Sequence, residues 1–185
     1  MKLHRGFPRH YAAVAACAVA LFASANASSQ ILEGGIAAYG TLGVSQTSYS
    51  DLGIGLKLGA DFGKDMFGVE NLGLTAFVAH TGGKEDSSGC DRKVSNNSLA
   101  AGATYSYAME GTAWTFQGRA YPFLNSRKYK VDCGAYDYSS TSSGVTAGVG
   151  ISAQYMVTDR LSLRGDFDVL GGYARFLSAG VQFRF

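Results

Sequence analysis

Between Leu52 and Phe62 the chain alternates without a break. Leu52, Ile54, Leu56, Leu58, Ala60 and Phe62 fall on one side, and Gly53, Gly55, Lys57, Gly59 and Asp61 on the other. A period of two belongs to an extended strand, whose successive side chains leave opposite faces, and it excludes a helix, whose faces repeat every ~3.6 residues. At ~3.3 Å per residue and a tilt of ~45°, a strand of this length crosses an apolar band of ~25 Å.

The pattern returns in Ile36–Ser45, Leu72–Thr81, Ser98–Tyr107, Thr112–Phe123, Val145–Tyr155, Leu161–Val169 and Leu177–Phe185. In each, one face carries Leu, Val, Ile, Ala or aromatic residues. The other is built mainly of Gly, Ser, Thr and Gln, with few Lys or Glu, an odd exterior for a soluble sandwich. Small polar side chains suit the crowded inside of a narrow barrel instead. The fold class expected is therefore all-β: an eight-stranded antiparallel transmembrane up-and-down β-barrel. An even strand number closes with both ends on one side. The connections at Gly63–Asn71, Ala108–Gly111 and Val157–Arg160 are then short periplasmic turns. Of the opposite connections, Gln46–Asp51, Gly82–Asn97, Leu124–Gly144 and Leu170–Ala174, the second and third are expected to be long polar outer loops. On this topology Phe62, Tyr107, Trp114, Tyr155 and Phe185 share one height at the periplasmic interface, where amphipathic rings prefer to sit.

The N-terminal residues read as a leader. Lys2, Arg5 and Arg9 precede the apolar run Tyr11–Ala23, too short to span a bilayer, and Ala25-Asn26-Ala27 offers a cleavage pattern. Residues 1–27 are expected to be a signal peptide and 28–185 one barrel domain. Val14-Ala15-Ala16-Cys17 offers a rival reading as a lipidation signal at Cys17. Removing three signal charges leaves thirteen Lys and Arg against fourteen Asp and Glu, so the mature chain is nearly neutral and nucleic-acid binding is not expected. Two cysteines remain, Cys90 and Cys133, both in the expected outer loops. In an oxidising compartment a disulfide is the expectation, with free thiols or a metal-binding pair as alternatives.

The run from Gly148 to Phe167, Gly-Val-Gly-Ile-Ser-Ala-Gln-Tyr-Met-Val-Thr-Asp-Arg-Leu-Ser-Leu-Arg-Gly-Asp-Phe, resembles the penultimate hairpin of OmpA-like transmembrane barrels. Asp166 and Phe167 stand where that family usually has Glu and Tyr. The ending Gly180-Val181-Gln182-Phe183-Arg184-Phe185 is similar to the one the outer-membrane assembly machinery reads, which assigns Phe183 and Phe185 as the assembly signal. The resemblance implies a monomer in the outer membrane of a Gram-negative bacterium, in contact with membrane lipid and lipopolysaccharide. No peptidoglycan-binding domain is expected after Phe185, so that anchoring role is not carried over. In the related OmpX and Ail type barrels the loops carry adhesion, which makes 82–97 and 124–144 the segments expected to meet host or surface ligands.

Charges on the inward faces are Lys57, Asp61, Arg119, Arg164, Asp166, Asp168 and Arg184. Unpaired buried charge costs several kcal/mol, so a salt-bridge network that plugs the lumen is expected around Lys57, Arg119, Arg164 and Asp166, with Asp61 and Asp168 among the available anions. A narrow channel is the alternative. His80, near Asp86, Ser87 and Ser88, is the one group that could activate a nucleophile, as in lipid A modifying barrels. No motif accompanies it, so neither enzymatic activity nor a cofactor or metal is expected. Arg92-Lys93 and Arg127-Lys128-Tyr129-Lys130 are basic runs that could meet lipopolysaccharide phosphates.

Overall fold

Each alternating segment is a strand. In chain order they are β1 (Ile36–Thr47), β2 (Ser50–Phe62), β3 (Leu72–Ser87), β4 (Cys90–Ala108), β5 (Trp114–Asp132), β6 (Asp137–Met156), β7 (Leu161–Leu170) and β8 (Ala174–Arg184). The structure, a computed structural model, describes residues 35–47, 50–63, 65–87, 90–134, 136–172 and 174–185. The expected signal peptide, its cleavage site and Cys17 lie outside the described residues. Every strand pairs antiparallel with the next, and β8 returns to β1 from Ala37↔Arg184 to Thr47↔Ala174, closing the barrel. Closure satisfies the backbone groups that an edge would leave bare, a necessity wherever the surround is hydrocarbon. No helix among the described residues is long and apolar enough to cross a membrane, which has no bearing on crossing by strands.

The alternation sorts the side chains as its period requires. Leu52 and Ile54 are each 71% exposed, Val145 70% and Ile151 64%, whereas Lys57 is fully buried and Thr41, Asp168 and Phe176 are each 1% exposed. A continuous apolar exterior around a polar interior inverts a soluble protein and matches a barrel whose solvent is lipid. Tyr107, Trp114, Tyr155 and Phe185 all point outward near the rim that carries the chain's C-terminus, with Trp114 and Tyr155 ring centroids 5.0 Å apart.

The expectation of long outer loops is corrected. Gly82–Asn97 is a hairpin, β3 pairing β4 from Gly82↔Ser95 up to Ser87↔Cys90. Leu124–Gly144 is a second, pairing β5 with β6 from Leu124↔Val145 up to Asp132↔Asp137. The two are joined through β4 and β5, as far as Asp91↔Asp132. Hydrophobicity does not reveal these ladders because the apolar half of the alternation ends where lipid ends. Beyond that height the outward face turns polar while the inward face stays covered, with Val94 and Asn96 at 2% and 3% exposure, so the pattern of a membrane strand is lost while the backbone keeps pairing. On the flanks, β2–β3 pairing stops at Gly55↔Thr81 and β6–β7 pairing at Gly148↔Leu170. Strands β3 to β6 therefore rise above the rest of the rim as a four-stranded sheet.

Candidate functional site

The middle of the lumen is held by three strands. Lys57 and Asp61 project from β2, Arg119 from β5, and Arg164, Asp166 and Asp168 from successive inward positions of β7. Lys57 Nζ lies 2.6 Å from an oxygen of both Asp166 and Asp168. Arg119 reaches the same two acids, through Nη2 to Asp166 Oδ1 and Nε to Asp168 Oδ1, each at 3.0 Å. Arg164 donates from Nε to Asp166 Oδ1 at 2.9 Å and from Nη1 to Asp61 Oδ2 at 2.6 Å and Gln182 Oε1 at 2.9 Å. Its Nη2 donates to Gln117 Oε1 at 3.2 Å. Three cations thus meet three anions with side chains 0–1% exposed, except Asp61 at 11%. A neutral, densely bonded set is the arrangement in which buried charge is tolerated.

Aromatic rings pack around this network. Lys57 Nζ is 5.5 Å from the Phe77 ring centroid, 5.7 Å from Tyr39 and 6.0 Å from Phe176. The Arg164 guanidinium stacks 3.7 Å from the Tyr39 ring centroid, and Tyr121 donates its hydroxyl to Asp168 Oδ1 at 2.9 Å. Inward glycines give these large groups their room. A Cβ on Gly59 would strike Tyr39 and Phe77, and one on Gly150 would strike Arg119 and Asp168. Phe77 and Phe176 belong to the lumen although no charge marks them in the sequence. Phe77 is detectable, because an aromatic on the polar parity of a strand has nowhere to go but inward. Phe176 precedes Leu177, the point at which alternation in the last segment becomes visible.

Below the network, toward the turns, the lumen opens into a cavity of about 350 Å³ lined by Asp61, Gln117, Gln154, Gln182 and Arg184 among others. Arg184 thus stands apart from the six grouped charges. The six grouped charges and the rings packed around them share the middle of the lumen.

Outside the barrel, Cys90 and Cys133 are joined by a disulfide across the tips of β4 and β5, closing a separation of 43 residues. It fastens the β3–β4 hairpin to the β5–β6 hairpin. Lys128 and Lys130 point outward and are exposed, while Arg127 and Tyr129, of opposite parity, are half-buried. His80 is exposed on β3 with Nδ1 2.7 Å from Asn97 Oδ1. Ser88 and the side chains of Asp86 and Ser87 lie outside the described residues. Phe183 and Phe185 sit together on the outer surface, ring centroids 5.1 Å apart.

A closed eight-stranded barrel, apolar outside and charge-filled inside, defines a small transmembrane barrel protein of an outer membrane. The chain belongs to the outer membrane protein beta-barrel domain family, whose profile matches residues 14–185. No curated protein sequence matches it. Among solved structures it is similar to Neisserial surface protein A, at 21% identity and a TM-score of 0.57, covering 81% of this chain and 96% of that one. A major outer membrane protein from Thermus thermophilus shares 15% identity with a TM-score of 0.56, covering 80% of this chain and 99% of that one. Ail, the attachment invasion locus protein of Yersinia pestis, shares 13% identity with a TM-score of 0.54, covering 82% of this chain and 97% of that one. Ail has also been solved in complex with the heparin analogue sucrose octasulfate. Likeness at these identities establishes the shared fold.

Proposed function

We propose that the barrel is a sealed, non-catalytic scaffold and that its biological role lies in the sheet it holds outside the membrane, in adhesion or other binding at the cell surface. The single observation behind this reading is the asymmetry of the rim. Strands β3 to β6 continue well past the point where β2 and β7 leave them, and a disulfide secures their tips. Building and bracing a rigid sheet beyond the bilayer does nothing for membrane insertion, so its use is sought outside. Tyr136 and Tyr138, 79% and 58% exposed near its tip, are the amphipathic type of residue that anchors protein contacts. The midplane network supports the sealed lumen. Export by Met1–Ala27, assembly through Phe183 and Phe185, and a monomeric state complete the reading.

The test is attachment of a non-adherent Gram-negative host expressing either the full chain or a variant with both hairpins cut back to the rim, to matrix-coated surfaces and to cultured cells. Both proteins must first show the heat-dependent gel migration of a folded barrel. Attachment above the empty vector that disappears with the hairpins is the expected result. Equal attachment by both proteins and the vector overturns the binding role. Large stable conductance in planar bilayers overturns the sealed lumen, and a changed lipid A profile overturns the non-catalytic reading.

A further inference from the structure

The cavity of about 350 Å³ lies between the ion pairs and the turns, at the end of the barrel opposite the protruding sheet. Strands β4 to β8 supply most of its polar wall. Their registers lay out an arc in which Ser106 pairs with Gln117, Thr115 with Gln154, and Ser162 with Gln182. All six line the cavity, and each is a neutral hydroxyl or amide. Among the lining residues one is acidic and one basic. Asp61 is held by Arg164 at 2.6 Å, and Arg184 is exposed beside the C-terminus.

Two amides in this arc are left over. Gln154 is only 7% exposed, yet among the described residues its side chain has no hydrogen-bond partner. Gln182, 6% exposed, accepts from Arg164 through its oxygen, while its amide nitrogen donates to nothing among the described residues. Gln117 is fully engaged by contrast, its oxygen accepting from Arg164 and Ser152 and its nitrogen donating to Ser106. Buried polar groups ordinarily have partners, so idle ones aimed into a cavity point to a group that enters it.

Size and packing set this space apart from a chance gap. Tyr39, Phe77, Tyr121 and Phe176 fill the middle of the same lumen, whereas here the inward positions include Ala37, Ser106 and Ser162. Room is thus kept by small side chains next to a layer where large ones fit. The volume, about 350 Å³, reaches the range of small-molecule sites, ~300–1,000 Å³.

We propose that this cavity binds a small neutral polyhydroxylated molecule, of the monosaccharide or polyol class, through Gln154 and Gln182 with the hydroxyls of Thr115 and Ser162 beside them. An amide sets a donor next to an acceptor, the complement of hydroxyl groups, each of which both donates and accepts. Gln154 accepts from one ligand hydroxyl through Oε1 and donates to another through Nε2. Gln182 donates through Nε2, its oxygen being taken by Arg164. A zwitterion or small anion finds little here, because the wall's acid is already paired and its base stands in solvent at the mouth. The site lies at the far end of the barrel from the protruding sheet and does not depend on what that sheet binds.

The test uses the full mature chain in phosphatidylcholine nanodiscs, which leave both ends of a barrel open to solution. Glucose, sorbitol, glycine and inorganic phosphate are titrated separately at millimolar concentration. Ligand-observed NMR reads binding directly, apart from the general stabilisation that sugars give by exclusion from protein surfaces. Wild type is compared with Gln154→Leu, which keeps the bulk and removes an amide that bonds nothing in the barrel, and with Ser162→Leu, which narrows the space from another strand. Wild type should bind glucose or sorbitol in preference to glycine and phosphate. Gln154→Leu should bind about 10-fold more weakly, the equivalent of roughly one hydrogen bond, and Ser162→Leu should also bind more weakly. Both variants should keep the heat-dependent gel shift of a folded barrel, and if one does not, the other carries the comparison. Failure of wild type to bind either polyol, the cavity then holding water alone, overturns the site. Equal polyol binding by wild type and the folded variants also overturns it, since the ligand then sits elsewhere. Preference for glycine or phosphate overturns the neutral class of ligand and the proposal with it.

Discussion

Lys57 on β2 and Asp168 on β7 stand 111 residues apart in the chain, and their charged atoms lie 2.6 Å apart across the lumen. Strands β2 and β7 are not neighbours in the sheet, so this pair ties together two walls that no backbone ladder joins. Lys57→Met removes one cation from a balanced set of three and three and leaves Asp166 and Asp168 short of a partner. The expected loss is about 3–5 kcal/mol, the usual consequence of breaking a buried pair. Urea unfolding in vesicles measures it. The double variant Lys57→Met, Asp168→Asn should lose less than the sum of its two single variants, because charge balance is restored.

Gly150 on β6 lies beside Arg119 and Asp168, and a methyl group there would overlap both. Gly150→Ala is expected to destabilise by about 1–3 kcal/mol, the ordinary effect of overpacking. The same change at Gly118, where a methyl meets nothing, should be nearly neutral. Equal unfolding midpoints for the two variants would contradict the packing described.

The lipid-facing wall makes a separate prediction. Val149 is 57% exposed on β6, well below the last apolar row at Val145. Val149→Arg should cost about 2–4 kcal/mol in a bilayer, where the guanidinium would meet acyl chains. Thr141→Arg, on the same strand and face but above the apolar band, should cost far less. Refolding titrations into vesicles distinguish the two.

The disulfide lies outside the barrel, so it should brace the sheet without being needed for closure. Cys90→Ser with Cys133→Ser is expected to keep the heat-dependent gel shift while proteases cut the hairpins faster. Chain entropy for a loop spanning 43 residues corresponds to about 4 kcal/mol. Mass spectrometry of alkylated, non-reduced protein should find neither thiol labelled in the wild type.

How much of this is legible in the chain differs between barrel and sheet. Alternation at Leu52–Phe62 and its seven counterparts reveals eight strands, their faces and their order, because lipid on one side and a narrow lumen on the other impose opposite polarity on neighbouring residues. Inward charge at Lys57, Asp61, Arg119, Arg164, Asp166 and Asp168 is readable for the same reason, and charge balance requires partners. Which partner each takes is not readable: Lys57 reaches β7 only after closure through β1 and β8 sets the registers.

The protruding sheet shows the complementary limit. Residues 82–97 and 124–144 look like loops because their outward face turns polar above the lipid and the hydrophobic period is lost, yet their backbone groups still pair, and pairing is a relation between strands that no single segment carries. The alignment of Lys93 with Lys130 and of Cys90 with Cys133 has the same origin. Local polarity is written in the order of residues, one position at a time. Register, closure and the meeting of distant charges arise only when hydrogen-bonded strands are laid side by side, and the tertiary structure alone decides them.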